Sequence, residues 1–434
     1  MNVCMMVANP VVFDGRVLRH AEALALAGHR VTVLGVVGPN DTAQQPNTET
    51  LFSIRRVSRQ KRGLGPRVVW AESALRQRCA ARLAAWLPSA WLEQVPALAV
   101  LADLAVATSA VELAWLGLAQ PFDVFHGNDL NTLPAVAWAA KLRNKPFVYD
   151  AHEFYVEESP ALSEAEKRAR RLVEGRWARQ AACVLTVNDL LAEKLHDLYP
   201  TLSPVVVRNV PPFLDVPDPA ARPEGKPGTL KLLYHGTHVG LQQPGIGDVL
   251  AAMAKLKTKA HMTLVLRGQV SDAERGALHE RADALGLVDR LVVAPPVSGP
   301  RRLIEEAQKD QAEVGLALHA PLPGNYALAT PSKIYEYQMA GLAVCATSTP
   351  GNRLILSEDA GEFFPFGDVE KLTGLLARLA HDRNRLRAMR TQARARAQRE
   401  FAWETEQQKL LTAYETLERQ ARRAKPLSGK KPQG

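Results

Sequence analysis

Thr330-Pro331-Ser332-Lys333-Ile334-Tyr335-Glu336-Tyr337-Gln338-Met339-Ala340-Gly341, followed by Leu342 and the apolar run from Ala343 to Ala346, is the stretch on which the fold turns. Thr330 suits an N-cap, Pro331 a first helical position and Gly341 a left-handed C-terminal cap, so the run reads as one short helix delivered into a strand. The same alternation of short apolar runs with amphipathic helices extends in both directions along nearly the whole chain. That is the pattern of parallel sheets covered by helices on both faces.

Strands are expected at 231–234, 262–267, 291–294, 314–318 and 343–346 in the second half, and at 3–8, 30–36, 123–126, 146–150, 183–187 and 205–207 in the first. The helix from Ile246 places Val249, Leu250, Met253 and Leu256 on one face. Between them, residues 215–228 read DVPDPAARPEGKPG, rich in proline and charge and without periodicity, and are expected to be the linker. With 434 residues and 47% hydrophobic content, the chain exceeds the roughly 250 to 300 residues at which single cores stop growing. The expected organisation is therefore a first domain over 1–214, a second over 229–400, a helix over 401–421 packing back on the first, and a disordered basic tail over 422–434.

Residues 60–118 fit the alternation least, being rich in alanine, leucine, arginine and tryptophan (Trp70, Trp86, Trp91 and Trp115). Asp103 and Glu112 interrupt the most apolar part, each costing roughly 2.5 to 3.5 kcal/mol at a membrane centre, so helices packed on the sheet are expected rather than a span. The Arg383 to Arg399 run lacks accompanying stacking aromatics and reads as a solvated or lipid-facing helix, with no nucleic-acid partner. The scattered cysteines Cys4, Cys79, Cys183 and Cys345 form no CxxC pair, which points to reduced thiols and away from structural zinc. The start Met1-Asn2-Val3-Cys4-Met5 lacks a basic n-region, so a cytoplasmic protein is expected. The net charge of +9 favours an acidic partner and peripheral association with an anionic inner membrane face.

The helix start carries the chemistry. Ser332 and Lys333 lie in its first turn, where free N–H groups and the positive end of the macrodipole attract anions, and Glu336 lies one turn on, placed to accept hydrogen bonds from a diol. On spacing alone, a capped surface helix with an incidental Lys and Glu is as good a reading. No strand-to-helix turn carries GxGxxG, which removes the usual dinucleotide fingerprint.

PSKIYEYQMAGLAVCAT resembles the donor-binding motif of family-4 glycosyltransferases, and further matches follow in the family's order: FDGRVLRHAEALALAGHRVTVLG, FDVFHGNDLNTLP, FVYDAHEFY, VLTVNDLLAEKL, VVVRNVPPF, KLLYHGTH, LVLRGQ, AEVGLAL, AGEFFPFGD and EFAWETEQQKLLTAY. The resemblance implies the GT-B fold, an α/β architecture of two Rossmann-like doubly wound domains facing across a cleft. It implies transfer of a sugar from a nucleotide diphosphate sugar to an acceptor hydroxyl, with retention by front-face attack and with neither metal nor cofactor. Glu336 would bind the ribose, and Lys333 with Ser332 the diphosphate. Arg267, His235 and Gly236 would complete the donor side. His152, beside the transferred sugar, and Asp14 are expected at the reacting centre, with Gly15, His126 and Asp129 on the acceptor side. The acceptor would be a glycan or a lipid-linked glycan, in polysaccharide or glycolipid assembly.

Two positions depart from the family's pattern. Leu328 stands where a second carboxylate is usual, which leaves backbone amides around Gly324 and Asn325 to hold the sugar. The loop HGTHVGLQQPGIG has no Arg or Lys, which leaves Lys333, Arg267 and the helix start to stabilise the leaving diphosphate. The alternatives are a sugar-nucleotide epimerase of the same fold, or a protein that binds the donor without turnover.

Overall fold

The computed structural model describes residues 1–11, 14–37, 51–58, 96–107, 109–222 and 225–424. The chain divides into two compact units, one formed by Met1–Arg208 together with the chain from Gln407 onward, the other by Asn209–Glu406.

In the first unit the strands are β1 (Asn2–Met6), β2 (Arg30–Val37), β3 (Ser53–Ser58), β4 (Val124–Asn128), β5 (Phe147–Ala151), β6 (Cys183–Thr186) and β7 (Val205–Val206). Their order in the sheet is β3-β2-β1-β4-β5-β6-β7, and every pairing is parallel. β4 and β5 are buried along their whole length, as expected of parallel strands covered on both faces. The helices are α1 (Gly15–Leu26), α2 (Pro96–Val106), α3 (Ala110–Leu118), α4 (Leu133–Arg143), α5 (Glu164–Ala178) and α6 (Asp189–Leu198). The strand order reverses between β1 and β4, the switch point outside which open α/β sheets bind ligands.

The second unit repeats the plan. Its strands are β8 (Thr229–His238), β9 (His261–Gln269), β10 (Leu291–Ala294), β11 (Val314–Ala317), β12 (Ala343–Thr347) and β13 (Gly361–Phe364), in the order β10-β9-β8-β11-β12-β13 and again all parallel. Its helices are α7 (Ile246–Leu256), α8 (Asp272–Leu285), α9 (Gly299–Lys309), α10 (Ser332–Met339), α11 (Pro350–Ile355), α12 (Val369–His381) and α13 (Arg383–Glu400), followed by α14 (Trp403–Ala424). The apolar face read from Ile246 is present in α7, where Val249, Leu250, Met253 and Leu256 are all buried. Here the switch point lies between β8 and β11.

Two strands were not legible from alternation. β3 is the sheet edge, with Arg55 and Arg56 between Ile54 and Val57, and β13 is four residues long. Residues 215–228, expected as a linker, fall within the second unit, where the turn Pro219–Ala221 packs against α13.

Of the ill-fitting 60–118 segment, residues 60–95 and 108 lie outside the described residues, as does the 425–434 part of the tail, whose first residues, 422–424, continue α14 instead of being disordered. The remainder packs as expected: Asp103 of α2, 1% exposed, accepts hydrogen bonds from the indoles of Trp138 and Trp177, both 3.0 Å, and pairs with Arg176 at 3.1 Å. Among the described residues no single helix is long and apolar enough to cross a membrane.

Candidate active site

In the second unit, α10 begins at Ser332, one residue later than the sequence suggested. Pro331 adopts ψ 127° and occupies the N-cap position itself, displacing Thr330, and no side chain caps the first turn. Pro331 itself offers no capping side chain, and the Ile334 N–H bonds Pro331 O at 3.1 Å, so the start of the helix keeps the positive dipole end that attracts anions. At the other end, Gly341 has φ 66°, and Gly341 N–H bonds Gln338 O while Leu342 N–H bonds Tyr337 O, both at 2.9 Å, completing a Schellman cap.

The Arg383 to Arg399 run is only in part the solvated helix expected: Arg385, Arg387 and Arg399 are exposed, but its other face is not. Arg383, Arg390 and Arg394 are buried. Arg394 donates to Met339 O and Leu214 O, both at 2.6 Å, and Arg390 to Gly341 O at 3.2 Å. Arg222 and Gln308 add bonds to Ala340 O at 2.9 and 2.6 Å. Cations belong at the negative end of a helix dipole, so this cluster fixes the helix whose opposite end is the anion site.

Tyr337 locks α10 to the sheet. Its ring lies flat on Gly315 of β11, where a Cβ would come within 2.2 Å. Its hydroxyl donates to Leu316 O at 3.2 Å and accepts the His235 N–H at 3.1 Å. This places His235, at the bulged end of β8 beside Gly236, with its Nε2 3.2 Å from the Glu336 carboxylate. Lys333 Nζ sits 4.1 Å from the centroid of the Tyr234 ring. Burial pulls the Lys333 ammonium down to about 8 against the pull of Glu336. Burial, Lys333 and Arg267 push His235 down to about 3, so that ring is neutral, and His319 at the end of β11 falls to about 4 through burial and Lys333.

Arg267 departs from expectation. It is 5% exposed, and its guanidinium binds Asp310 at 2.8 Å and Glu306 at 3.4 Å, so two carboxylates already neutralise it. The loop before α10 turns at Gly324, with φ 71°, into a helical turn at Asn325–Leu328.

In the first unit the centre is Asp150, at the end of β5, which the sequence reading did not single out. Arg16 binds it through both donors, Nη2 at 2.7 Å and Nε at 3.0 Å, and donates also to Val207 O at 2.6 Å. His152 Nε2 lies 3.2 Å from the same carboxylate, His20 Nδ1 3.4 Å and His126 Nε2 3.7 Å. Burial would raise the Asp150 carboxyl, but Arg16 and His152 hold it well below its usual range. The ligand atoms of His20, His126 and Asp150 lie within 4.8 Å of one another. Because Arg16 already supplies the counter-charge to both carboxylate oxygens, we read the cluster as an ion-paired framework.

His152 is placed as expected, at the end of β5 and 15% exposed, with Nδ1 3.3 Å from Asp129 and its N–H bonded to the same carboxylate at 2.9 Å. Burial alone would depress its ring, yet Asp129 and Asp150 outweigh it and raise it to about 9, so at neutral pH it is an imidazolium. Asp129, at the turn after β4 with φ 65°, is held by this pairing.

Two further expectations change. Asp14 caps α1, accepting the Val17 N–H at 3.1 Å and the Asn9 amide at 2.8 Å, and Gly15 is the first residue of that helix. His126 is fully buried and shares a 2.7 Å hydrogen bond with Tyr414 of α14, so it supports the site from behind rather than lining it.

Two doubly wound parallel sheets, each with its polar cluster at the carboxyl ends of its central strands, are the pair of domains of the GT-B fold. The Glycosyl transferase 4-like domain model matches residues 15–212 and the Glycosyl transferases group 1 model residues 237–396; the chain belongs to the group 1 glycosyltransferases. No curated protein matches it. Among solved structures it is similar to sucrose-phosphate synthase from Thermosynechococcus elongatus (18% identity, TM-score 0.68, 96% of this chain and 99% of that one). It is similar also to HepE of Anabaena in complex with UDP (14%, 0.66, 96% and 100%) and to the lipopolysaccharide outer core galactosyltransferase WaaB (14%, 0.58, 96% and 99%).

Beyond Asp150, sequence reading missed Tyr414, Tyr337 and His319. A charged residue closing an apolar strand was a signal for Asp150, and His319 likewise follows a strand end. Tyr414 lies 288 residues from its partner and left no local mark.

Proposed function

We propose that this glycosyltransferase takes its sugar from a nucleotide diphosphate sugar held at the start of α10, and transfers it to an acceptor hydroxyl with retention of configuration and without a metal. The observation that carries this is the helix start with no side-chain cap, with Lys333 in its first turn and Glu336 one turn on. HepE of Anabaena has been seen with UDP-glucose, which makes a uridine diphosphate sugar the first donor to test. The diphosphate would receive the leading N–H groups and the Lys333 ammonium, and Glu336 would accept the ribose hydroxyls.

In the transfer, the bond from the anomeric carbon to the diphosphate oxygen breaks as the acceptor oxygen approaches the same face. The acceptor's proton passes to the departing phosphate oxygen. His152, held as a cation by two carboxylates, is suited to donating a hydrogen bond and not to removing a proton. With Arg267 committed to Glu306 and Asp310, stabilisation of the leaving group rests on Lys333 and the helix dipole.

Incubation with UDP-glucose and a panel of glycan and lipid-linked acceptors tests the proposal. Acceptor-dependent release of nucleoside diphosphate, insensitive to EDTA and giving the same anomer as the donor, is expected. Nucleotide binding with no turnover on any acceptor would instead support the second reading, a donor-binding protein, which the engagement of Arg267 favours. A lipid-linked acceptor at an anionic membrane is consistent with the +9 charge and with Trp115 standing 74% exposed on α3. Flotation that leaves the protein unbound to phosphatidylglycerol vesicles would remove that part of the proposal.

A further inference from the structure

The turns that follow β4 and β5, at the carboxyl ends of neighbouring strands, are tied together twice. Asp129 accepts the His152 N–H at 2.9 Å and lies 3.3 Å from its ring, so both oxygens of the carboxylate are used. Further along the first turn, Asn131 Nδ2 donates to the Tyr155 hydroxyl at 2.7 Å. This second tie leaves two groups over. Asn131 Oδ1 is buried without a hydrogen-bond partner. The Tyr155 oxygen is the acceptor in its bond, and among the described residues no acceptor takes its own proton.

Tyr155 is fixed from its other side as well. It opens the short turn Tyr155–Glu157, and Arg170 of α5 donates to its carbonyl at 2.6 Å and to Glu158 at 2.7 Å. The same guanidinium lies 5.1 Å from the centroid of its ring. Asn131 and Tyr155 are both only half-buried. Burial, with the charges of Glu158 and Asp129, raises the phenol's pKa, so it stays protonated and remains a donor.

A tie that served only to join the turns would match donors to acceptors, since an unmet buried polar group costs about 1 to 3 kcal/mol. Here the donating amide directs the phenolic proton away from itself and leaves a donor and a hydrogen-bond acceptor side by side. We propose that Tyr155 recognises a hydroxyl of the acceptor substrate by donating its phenolic proton to it, with Asn131 as the positioning residue. The inference rests on the reading that places His152 at the reacting centre. It names the chemistry recognised: a sugar ring, whose neighbouring hydroxyls accept from Tyr155 and donate to Asn131 Oδ1. Both groups are uncharged, which suits neutral hydroxyls and not a phosphate. A site built to hydrogen-bond a hydroxyl discriminates strongly against an analogue that lacks it.

Saturation-transfer NMR of the full chain with methyl α-D-glucopyranoside and methyl β-D-galactopyranoside compares wild type with Tyr155→Phe and Asn131→Asp. Phenylalanine keeps the ring beside Arg170 and removes the proton donor. Aspartate keeps the size of Asn131 but accepts the phenolic proton, so it joins the turns at least as well while turning the donor inward. Affinity for the bound glycoside about fivefold weaker or more in both variants is expected from the loss of a neutral hydrogen bond. Unchanged affinity in Asn131→Asp, or in a Tyr155→Phe protein with the wild-type melting temperature, overturns the proposal. So does a wild type that shows no saturation transfer to either glycoside. UDP titration run in parallel reports the α10 site, and a wild type that fails to bind UDP would count against α10 and leave the glycoside comparison valid.

Discussion

Lys333 is charged only at the acid side of about pH 8, because burial disfavours its ammonium. A diphosphate placed beside it would favour the charged form, so binding takes up part of a proton near that pH. The prediction is a nucleotide affinity that is flat below about pH 7 and falls as pH rises through 8 and beyond. Lys333→Arg, which cannot deprotonate in this range, should abolish the slope. Titration calorimetry in buffers of different ionisation heat reads both.

His152 is shifted the other way, upward, and its contribution too is lost as pH rises. Its pKa lies above the unfolded value near 6.5, so the stability it contributes is full below pH 6.5 and is lost as pH rises through about 9. NMR titration should find the raised value, and Asp129→Asn should lower it by a unit or more. An unshifted ring in wild type would contradict the pairing. At this scale the positions of Lys333, Glu336 and His152 were legible because each sits at a helix start or strand end. Arg267 and His126 were misread because sequence shows a strand end but not the carboxylates or tyrosine that reach it from distant elements.

The short helix α10 is held at both ends by unlike devices, an open first turn and a last turn closed by arginines from α13. Removing Arg394 would strand Met339 O and Leu214 O, both buried acceptors, at a cost on the order of 2 to 4 kcal/mol. Chemical denaturation of Arg394→Ala measures it, and donor affinity should fall with it.

Gly341→Ala should also destabilise, since its φ is 66° and a Cβ would meet Pro219 at 2.5 Å. A cost above about 1 kcal/mol follows from the left-handed backbone alone. The Gly341 cap was legible because one residue type answers one backbone need. The arginine run was not, because alternating Arg and Ala looks solvated until the carbonyls it reaches are known.

At the scale of the whole chain, alternation of apolar runs and amphipathic helices was enough to reveal two parallel sheets, since both need the same burial pattern wherever they occur. The C-terminal helix was expected over 401–421 to pack back on the first domain, a reading that no local pattern carries by itself. From Gln407 the chain belongs to the first unit, where Leu410, Tyr414 and Leu417 are buried. Ending the chain at Glu406 would expose apolar surface worth on the order of 5 kcal/mol and free His126. Hydrogen exchange should then accelerate in β4 and β5 while α10 stays protected; uniform protection would contradict this assignment of the helix.

The placement of the donor nucleotide on α10 is tested most directly by calorimetric titration of UDP, or of whichever nucleoside diphosphate the wild type binds, into wild type and Glu336→Ala. Loss of charged hydrogen bonds to the ribose predicts binding at least about tenfold weaker in the variant, with the fold unchanged. Equal affinity in the two proteins would show that the ribose lies elsewhere.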